Sequence, residues 1–156
     1  KWAEWKRPSP ECEPVHAKAA GLYMICTLSK HSAEAAGFDD ALMMDWRGQL
    51  AETTGANIFL VIDGALHTPT PDCFLDGITR RTVMELAEKR GYTCIDRVIM
   101  PEELKDFDEC FMVGTAAEVT PIKSIGDDLT FTPGEVSDTL LNDYMDVVQP
   151  NRLAAE

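Results

Sequence analysis

Basic residues are scarce in this sequence, and long apolar runs are absent. The 156 residues include 14 Lys and Arg against 27 Asp and Glu, which gives a formal net charge of −13 at pH 7. No basic cluster offsets this charge, so a nucleic acid is not an expected partner. No apolar run reaches the roughly 18 residues that a membrane-spanning helix needs, so a membrane is not an expected partner either. The length suits one globular domain.

Closely spaced metal ligands are also absent. The five cysteines contain no CxxC pair and stand apart from the three histidines, so no zinc site or other metal site is predicted. The five are Cys12, Cys26, Cys73, Cys94 and Cys110. Most of them lie among apolar residues, which indicates small buried thiols in a reducing compartment. We therefore expect a cytoplasmic protein.

The sequence begins without a methionine and without a signal-peptide pattern. Residues 1–15 are polar and carry three prolines, which is typical of a linker. We expect a fragment whose front half is missing, with a linker remnant over 1–15 and a folded domain over 16–150.

Hydrophobic patterning predicts helices together with strands that pair as hairpins. The predicted helices cover 17–36, a segment from near Gly77 to Gly91, a short turn from Pro101, and a last helix ending near Val148. The predicted strands cover 41–45, 57–62, 92–100 and 110–114, with an extended continuation over 118–126. Asp63-Gly64 is the sharpest hairpin signal, and ALHT (65–68) is the predicted returning strand. This order favours an α+β fold over a parallel α/β sheet.

Three local details can be tested against a structure. Two prolines exclude 68–74 from a central strand. Thr132 and Glu135 form a T-x-x-E capping box before the last helix, with a proline at its first position. The second helix is predicted to bury one apolar face, made of Ile78, Val83, Leu86 and Ala87.

Lys18 is the first candidate for chemistry. It is the only charged residue between His16 and Lys30, and its neighbours are small. Small neighbours allow a bulky group to approach. An apolar setting disfavours the ammonium form, so the amine becomes a nucleophile able to form a Schiff base. An isolated lysine at a helix start is more often a surface residue with its charge in water.

Three other segments could bind a ligand. Residues 76–81, DGITRR, offer helix-start amides and the Thr79 hydroxyl to an anion, although an ordinary N-cap by Asp76 would look the same. Residues 113–118, VGTAAE, break a buried strand and could expose amides to a second oxyanion, or could form a bulge or tight turn. Glu52 lies between apolar strand segments and would need a cation or a donor if buried, or is a surface glutamate.

An amine, helix-start amides and a carboxylate together match the requirements of pyridoxal 5'-phosphate. Four segments carry a resemblance as well: KAAGLYM, AETTGANIF, CFLDGITR and VGTAAEVTPI, in this order. They resemble the branched-chain amino acid aminotransferases, which are class IV, fold-type IV enzymes, and the match runs from about Trp5 to the final helix. The resemblance implies a D-amino acid aminotransferase-like fold, whose C-terminal domain has antiparallel and mixed sheets in a pseudo-barrel flanked by helices.

The resemblance also implies residue roles. Lys18 would bind the cofactor aldehyde and later move the Cα proton of the substrate. Tyr23 would donate to the phenolic oxygen, and Glu52 would pair with the pyridine nitrogen. The remaining implied cofactor positions are Leu75 on the ring and Gly77, Ile78, Thr79, Gly114 and Thr115 toward the phosphate. Thr115 and Ala116 would receive the substrate carboxylate.

The implied activity is amino transfer from leucine, isoleucine or valine to 2-oxoglutarate. The small-molecule partners are therefore amino acids and 2-oxo acids. In this family an N-terminal domain supplies a phosphate-binding arginine and much of the substrate pocket, so the chain alone is expected to be nearly inactive. A homodimer or larger homo-oligomer is implied, with Trp46, Phe59 and Phe74 as apolar interface candidates.

Two alternatives stay open. D-Amino acid aminotransferase and aminodeoxychorismate lyase share the lysine and the glutamate, although VGTAAEVTPI and AETTGANIF resemble the branched-chain group more. A cofactor-free acidic interaction module would instead use the 27 acidic residues as a solvated face, with Lys18 as a surface lysine.

Overall fold

A five-stranded mixed sheet lies at the centre of the computed structural model, which describes residues 1–149. The strands are β1 (Leu42–Met44), β2 (Leu50–Thr53), β3 (Asn57–Ile62), β4 (Ala65–Pro69), β5 (Cys94–Arg97), β6 (Glu109–Gly114), β7 (Glu118–Pro121), β8 (Ser124–Ile125) and β9 (Leu129–Thr130). The helices are α1 (Met24–Ala35), α2 (Ile78–Lys89) and α3 (Glu135–Val148), with 3₁₀ turns at Ala20–Tyr23 and Pro101–Asp106. Pro150, the last residue of the predicted domain, lies outside the described residues.

The central sheet has the strand order β5-β4-β3-β6-β7. β3 pairs antiparallel with β4 and with β6, and β6 pairs antiparallel with β7. The β4–β5 pair is parallel, and the connection between these strands contains α2. Hairpins therefore dominate, and the predicted α+β class with mixed sheets is confirmed.

The core lies on both faces of β3. Phe59 and Val61 face a cluster that includes Val83 of α2 and Leu140 of α3. Ile58 and Leu60 belong to a second cluster with Ile99, Leu104 and Phe107. Because both faces are covered, NIFLVI reads as a continuous apolar run rather than an alternating one. Two of the three interface candidates are therefore wrong, since Phe59 and the equally buried Phe74 do not reach the surface.

Two helix predictions need correction. The helix predicted from residue 17 begins only at Ala20, as a 3₁₀ turn, so Lys18 precedes it. Val83 and Ala87 are buried as predicted, but the Ile78 side chain is 78% exposed. Val83 follows Ile78 by five positions, and at 3.6 residues per turn this offset places the two side chains on different faces of the helix.

The strand boundaries also differ from the predictions. β4 confirms the returning strand predicted over 65–68 and extends it to Pro69. Because β4 has neighbours on both sides, the exclusion of 68–74 from a central strand is wrong for Pro69. Pro69 is tolerated because it is the last residue of the strand, where a missing amide interrupts little of the ladder. The strand predicted over 92–100 is shorter, at Cys94–Arg97. β2 was not predicted as a separate strand.

The three prolines and the polar residues of segment 1–15 do not make it a detached linker. Trp2 bridges to Leu42 and Arg7 bridges to Asp45, both at or beside β1. Arg7 and Val15 are buried. This stretch therefore packs on the domain, because an extended segment beside β1 satisfies backbone groups and buries its own side chains.

Three of the five cysteines are buried, as expected for most of them. Cys26, Cys73 and Cys110 are buried, Cys94 is half-buried and Cys12 is exposed, and all five are free thiols. Among residues 1–149, no helix is long and apolar enough to cross a membrane.

The cap of α3 is not the predicted T-x-x-E box. Gly134 is the N-cap, and the buried Glu109 carboxylate accepts hydrogen bonds from the amides of Val136 (3.2 Å) and Ser137 (2.9 Å). A side chain at Gly134 would clash with Glu109 Oε1. The start of α3 is thus capped by a residue of β6, and the negative charge suits the helix dipole.

We expect Glu109→Ala to destabilise the domain by about 1–3 kcal/mol, because it leaves two buried amides without an acceptor. Glu109→Gln should cost less, since its carbonyl can still accept one bond. The measurement is the free energy of unfolding in urea, with the exposed Glu11→Ala as control. An Ala variant as stable as that control would contradict the capping role.

Candidate functional site

A cleft of about 270 Å³ opens where β6 ends and α2 begins. All ten residues that the sequence analysis selected line this cleft. They are Lys18, Tyr23, Glu52, Leu75, Gly77, Ile78, Thr79, Gly114, Thr115 and Ala116. Six residues that it did not select line the cleft too, namely Arg7, Thr54, Gly55, Ala56, Asn57 and Val113.

Strand register brings distant segments to this cleft. Asn57 at the start of β3 pairs with Val113 near the end of β6, so the loops beyond both strands meet at one edge of the sheet. A Cβ at Gly114 would come within 3.2 Å of the Ala56 Cβ. Glycine at position 114 therefore allows the two loops to approach closely.

Glu52 is a buried carboxylate on the wall of the cleft, so the surface alternative for this residue is wrong. Its Oε1 lies 3.4 Å from Arg7 Nε, and its Oε2 accepts a 3.4 Å hydrogen bond from Asn57 Nδ2. Burial raises the pKa of Glu52 to about 8, and the Arg7 charge opposes this rise. Both contacts are long, so this carboxylate can accept a further hydrogen bond from a cationic N–H in the cleft.

Arg7 supports Glu52 from a buried position. Its Nη1 donates to Cys26 Sγ (3.2 Å) and to the Leu22 carbonyl (3.4 Å). Its Nε is buried and has no partner within hydrogen-bond geometry among the described residues. Assignment of 1–15 to a linker concealed this residue, and the only available signal was a single arginine among prolines and tryptophans.

Tyr23 ends the 3₁₀ turn and is half-buried. Burial, together with the nearby Glu52 charge, raises the pKa of the Tyr23 hydroxyl. The hydroxyl therefore keeps its proton and can donate it in a hydrogen bond to a ligand oxygen.

Lys18 lines the cleft but is exposed to solvent. The apolar setting expected from its small neighbours is not provided by the described residues, because alanine and glycine side chains do not cover a lysine amine. Its placement in the cleft, rather than its burial, is the feature that points to chemistry.

The start of α2 faces the cleft without a side-chain cap. Gly77 is the N-cap residue, and Asp76 is not the cap, since its carboxylate pairs with Arg80 (2.9 Å) and Arg81 (3.8 Å). Thr79 is buried in the first turn. Uncapped amides and the positive end of the helix dipole suit an anion such as a phosphate.

The segment 113–118 forms a tight turn between two paired strands. Gly114 of β6 pairs with Glu118 of β7, and residues 115–117 connect them. The backbone of this segment is therefore the tight turn that the sequence analysis gave as an alternative. The same turn places Thr115 and Ala116 on the lining of the cleft.

A cluster of potential metal ligands lies elsewhere, at Asp45, Asp72 and Cys73. The guanidinium of Arg47 lies between the two carboxylates, with Nη2 2.6 Å from an oxygen of each. A cation of the protein itself thus fills this position.

The raised pKa of Glu52 predicts pH-dependent stability. Between its ordinary value of 4.5 and about 8, the folded chain retains a proton that the unfolded chain has lost. Stability of the cofactor-free chain should therefore fall as pH rises through this window and level off above it. In Glu52→Gln that contribution, on the order of a few kcal/mol, should be missing.

The check is urea unfolding at about pH 5 and about pH 8.5 for the wild type, Glu52→Gln and the exposed control Glu85→Gln. The Glu52 variant should gain stability relative to the wild type at the higher pH, while the control follows the wild type. An equal difference at both pH values would show that Glu52 is not protonated in the folded chain.

Comparison with known proteins finds relatives over most of the chain. The model of the family "Amino-transferase class IV" matches residues 2–125. A protein of Rickettsia bellii named "Probable branched-chain-amino-acid aminotransferase" is 39% identical over 150 residues, which are 94% of this chain and 52% of that protein. The branched-chain-amino-acid aminotransferase of Pseudomonas aeruginosa is 40% identical over 111 residues, 71% of this chain and 36% of that protein.

Solved structures show the same fold. The branched-chain aminotransferase of Thermoproteus uzoniensis superposes with a TM-score of 0.92 at 37% identity, over 97% of this chain and 51% of that one. An aminotransferase from Brucella abortus, bound to the cofactor pyridoxal phosphate, gives a TM-score of 0.87 at 34% identity, over 94% and 52% of the two chains. The chain spans about half the length of the relatives it matches. It belongs to the class IV amino-transferase family.

Proposed function

We propose that this chain is the cofactor-binding part of a pyridoxal-phosphate-dependent branched-chain amino acid aminotransferase. The observation that carries the proposal is the buried Glu52 carboxylate, which shares one cleft with an amine, a tyrosine and an uncapped helix start. Family relatives named for this activity, and the Brucella abortus structure with its bound cofactor, support it. The proposed cofactor domain covers 16–150, and 1–15 pack on it.

The residues of the cleft fit the cofactor. Glu52 would accept from the protonated ring nitrogen, which adds a charge-assisted bond to its long contacts and favours its ionised form. Tyr23 would donate to the phenolic oxygen. Leu75 lies on the cleft beside them and would pack on the ring. The start of α2 and the turn at Gly114 and Thr115 would hold the phosphate.

Lys18 would perform the proton transfers. When bound, pyridoxal phosphate supplies an aldehyde that binds the amino group and a conjugated ring that accepts electrons from Cα. The Lys18 amine would hold the cofactor until the substrate amine takes its place. It would then take the Cα proton as a general base and, as a general acid, return it to the carbon of the former aldehyde group, which is joined to Cα through the amino nitrogen. Thr115 and Ala116 would receive the substrate carboxylate.

The substrates proposed are leucine, isoleucine or valine as amino donor and 2-oxoglutarate as acceptor. The names of the relatives favour these over the D-amino acid aminotransferase and aminodeoxychorismate lyase alternatives. We further propose that another domain completes the substrate pocket, that the whole enzyme is a homodimer or larger homo-oligomer, and that it is cytoplasmic. Of the predicted interface residues, Trp46 is 39% exposed and stays a candidate.

We expect pyridoxal phosphate to label Lys18. After addition of the cofactor, reduction with borohydride and peptide mapping, the label should lie on Lys18, because this amine lines the cleft that fits the cofactor. Lys18→Arg should lose the label, and the exposed control Lys89→Arg should keep it. A label spread over Lys6, Lys30 and Lys89 in the wild type would contradict the assigned site.

Substrate choice is tested in a protein that joins this chain to the N-terminal half of a relative. Amino transfer to 2-oxoglutarate should be faster with L-leucine than with D-alanine, and Lys18→Arg should reduce it by about 10²-fold or more, since proton transfer alone contributes that much. The 156-residue chain should show little turnover. Preference for D-alanine would favour the D-amino acid alternative, and robust turnover by the chain alone would refute the need for a second domain.

A further inference from the structure

Asn57 occupies an unusual place in the cleft. It is the first residue of β3, it is 5% exposed, and every other residue of that strand is apolar. Its backbone is fixed by the pairing of Asn57 with Val113 in β6. A polar side chain at this buried position needs partners, and its three partners all belong to the site.

The side-chain amide of Asn57 donates hydrogen bonds to two groups and accepts one from a third. Nδ2 donates to the Leu75 carbonyl (2.9 Å) and to Glu52 Oε2 (3.4 Å), while Oδ1 accepts from the Gly77 amide (3.2 Å). Two donor hydrogens and one carbonyl oxygen at this side-chain length are found only in asparagine. Aspartate has no donor, and glutamine is one methylene longer.

Position 77 has no room for a side chain, because Asn57 lies against it. A Cβ at position 77 would stand 2.5 Å from Asn57 Oδ1, so a side chain there would push the two apart. Glycine allows the chain just ahead of α2 to close on Asn57. Arg80 holds the same helix start through Asp96 (2.6 Å) and Thr68 (3.2 Å), but these residues do not line the cleft, whereas Asn57 does.

We propose that Asn57 is a positioning residue that ties the Glu52 carboxylate to the start of α2. One amide side chain thereby sets both ends of the cleft: the carboxylate at one end and the uncapped helix start at the other. The inference rests on the proposed function for its purpose, because it assigns these ends to the ring nitrogen and the phosphate of one rigid cofactor. The contacts themselves join residues of this chain alone.

The test uses the cofactor-free chain. Asn57→Ala should raise the hydrogen-exchange rate of the Gly77 amide by about tenfold relative to core amides such as Phe111, because its acceptor is lost. It should also raise the NMR titration midpoint of the Glu52 carboxyl, which loses a donor. Asn142→Ala, an exposed asparagine on α3, is the matched control and should change neither.

Asn57→Asp tests the contact with the helix start and the contact with Glu52 separately. A carboxylate at position 57 can still accept from the Gly77 amide, so that exchange rate should stay within about threefold of the wild type. The Glu52 midpoint should rise further than in the Ala variant, since a like charge replaces a donor. A purely structural residue would not give this split.

Two results would overturn the proposal. One is a similar rise in the exchange rates of the Gly77 and Phe111 amides in Asn57→Ala, and the other is an unchanged titration midpoint of Glu52 in both variants.

Affinities for pyridoxal phosphate and for pyridoxal distinguish a failure of the Asn57 proposal from a failure of the proposed function. Asn57→Ala should weaken the binding of pyridoxal phosphate by about tenfold more than the binding of pyridoxal. Equal weakening of both would overturn the proposed link between Asn57 and the helix start. If neither the wild type nor the variants bind either compound, the proposed function fails. The exchange and titration results still decide the role of Asn57.

Discussion

β3 is buried on both of its faces, and the place of the cleft depends on that burial. Its alternating side chains enter two separate clusters, so the strand cannot shift by one residue without exchanging Phe59 and Val61 for Ile58 and Leu60. The register with β6 is fixed in the same way, and it brings Asn57 opposite Val113. Loops that leave these two strand ends must then meet, and the site is built from those loops.

The same burial makes Glu52 a costly residue for the cofactor-free chain. Its carboxylate is buried, and the contacts with Arg7 and Asn57 are long. A leucine at position 52 would suit the packing better than a carboxylate whose pKa is raised to about 8. Retention of the carboxylate is understandable if a cationic N–H enters the cleft, because the ion pair formed in this low-dielectric setting is stronger than one in water.

Local patterns were enough to find most of the elements and eight residues of the cleft, since each belongs to a short segment with its own chemistry. Tyr23 and Leu75 came only from the resemblance to the branched-chain aminotransferases. They could not find partners that are distant along the chain. The Glu109 cap of α3 and the Arg7–Glu52 pair each join residues far apart in the sequence. The exposure of Ile78 was also missed, because helix periodicity describes a segment and not what covers it. The exposure of Lys18 agrees with the alternative in which its charge lies in water.

Burial is distributed unevenly around the cleft, and under the proposed function this separates binding from catalysis. Glu52, Asn57 and Thr79 are buried, whereas Lys18 and the Ile78 side chain are open to water. Groups that orient a ligand are therefore held rigidly by the core, but the amine that would react is not shielded. Proton transfer at Cα benefits from exclusion of water. A surface that covers Lys18 and Ile78 would add that exclusion without moving the residues that bind, so affinity and turnover can come from different parts of the whole enzyme.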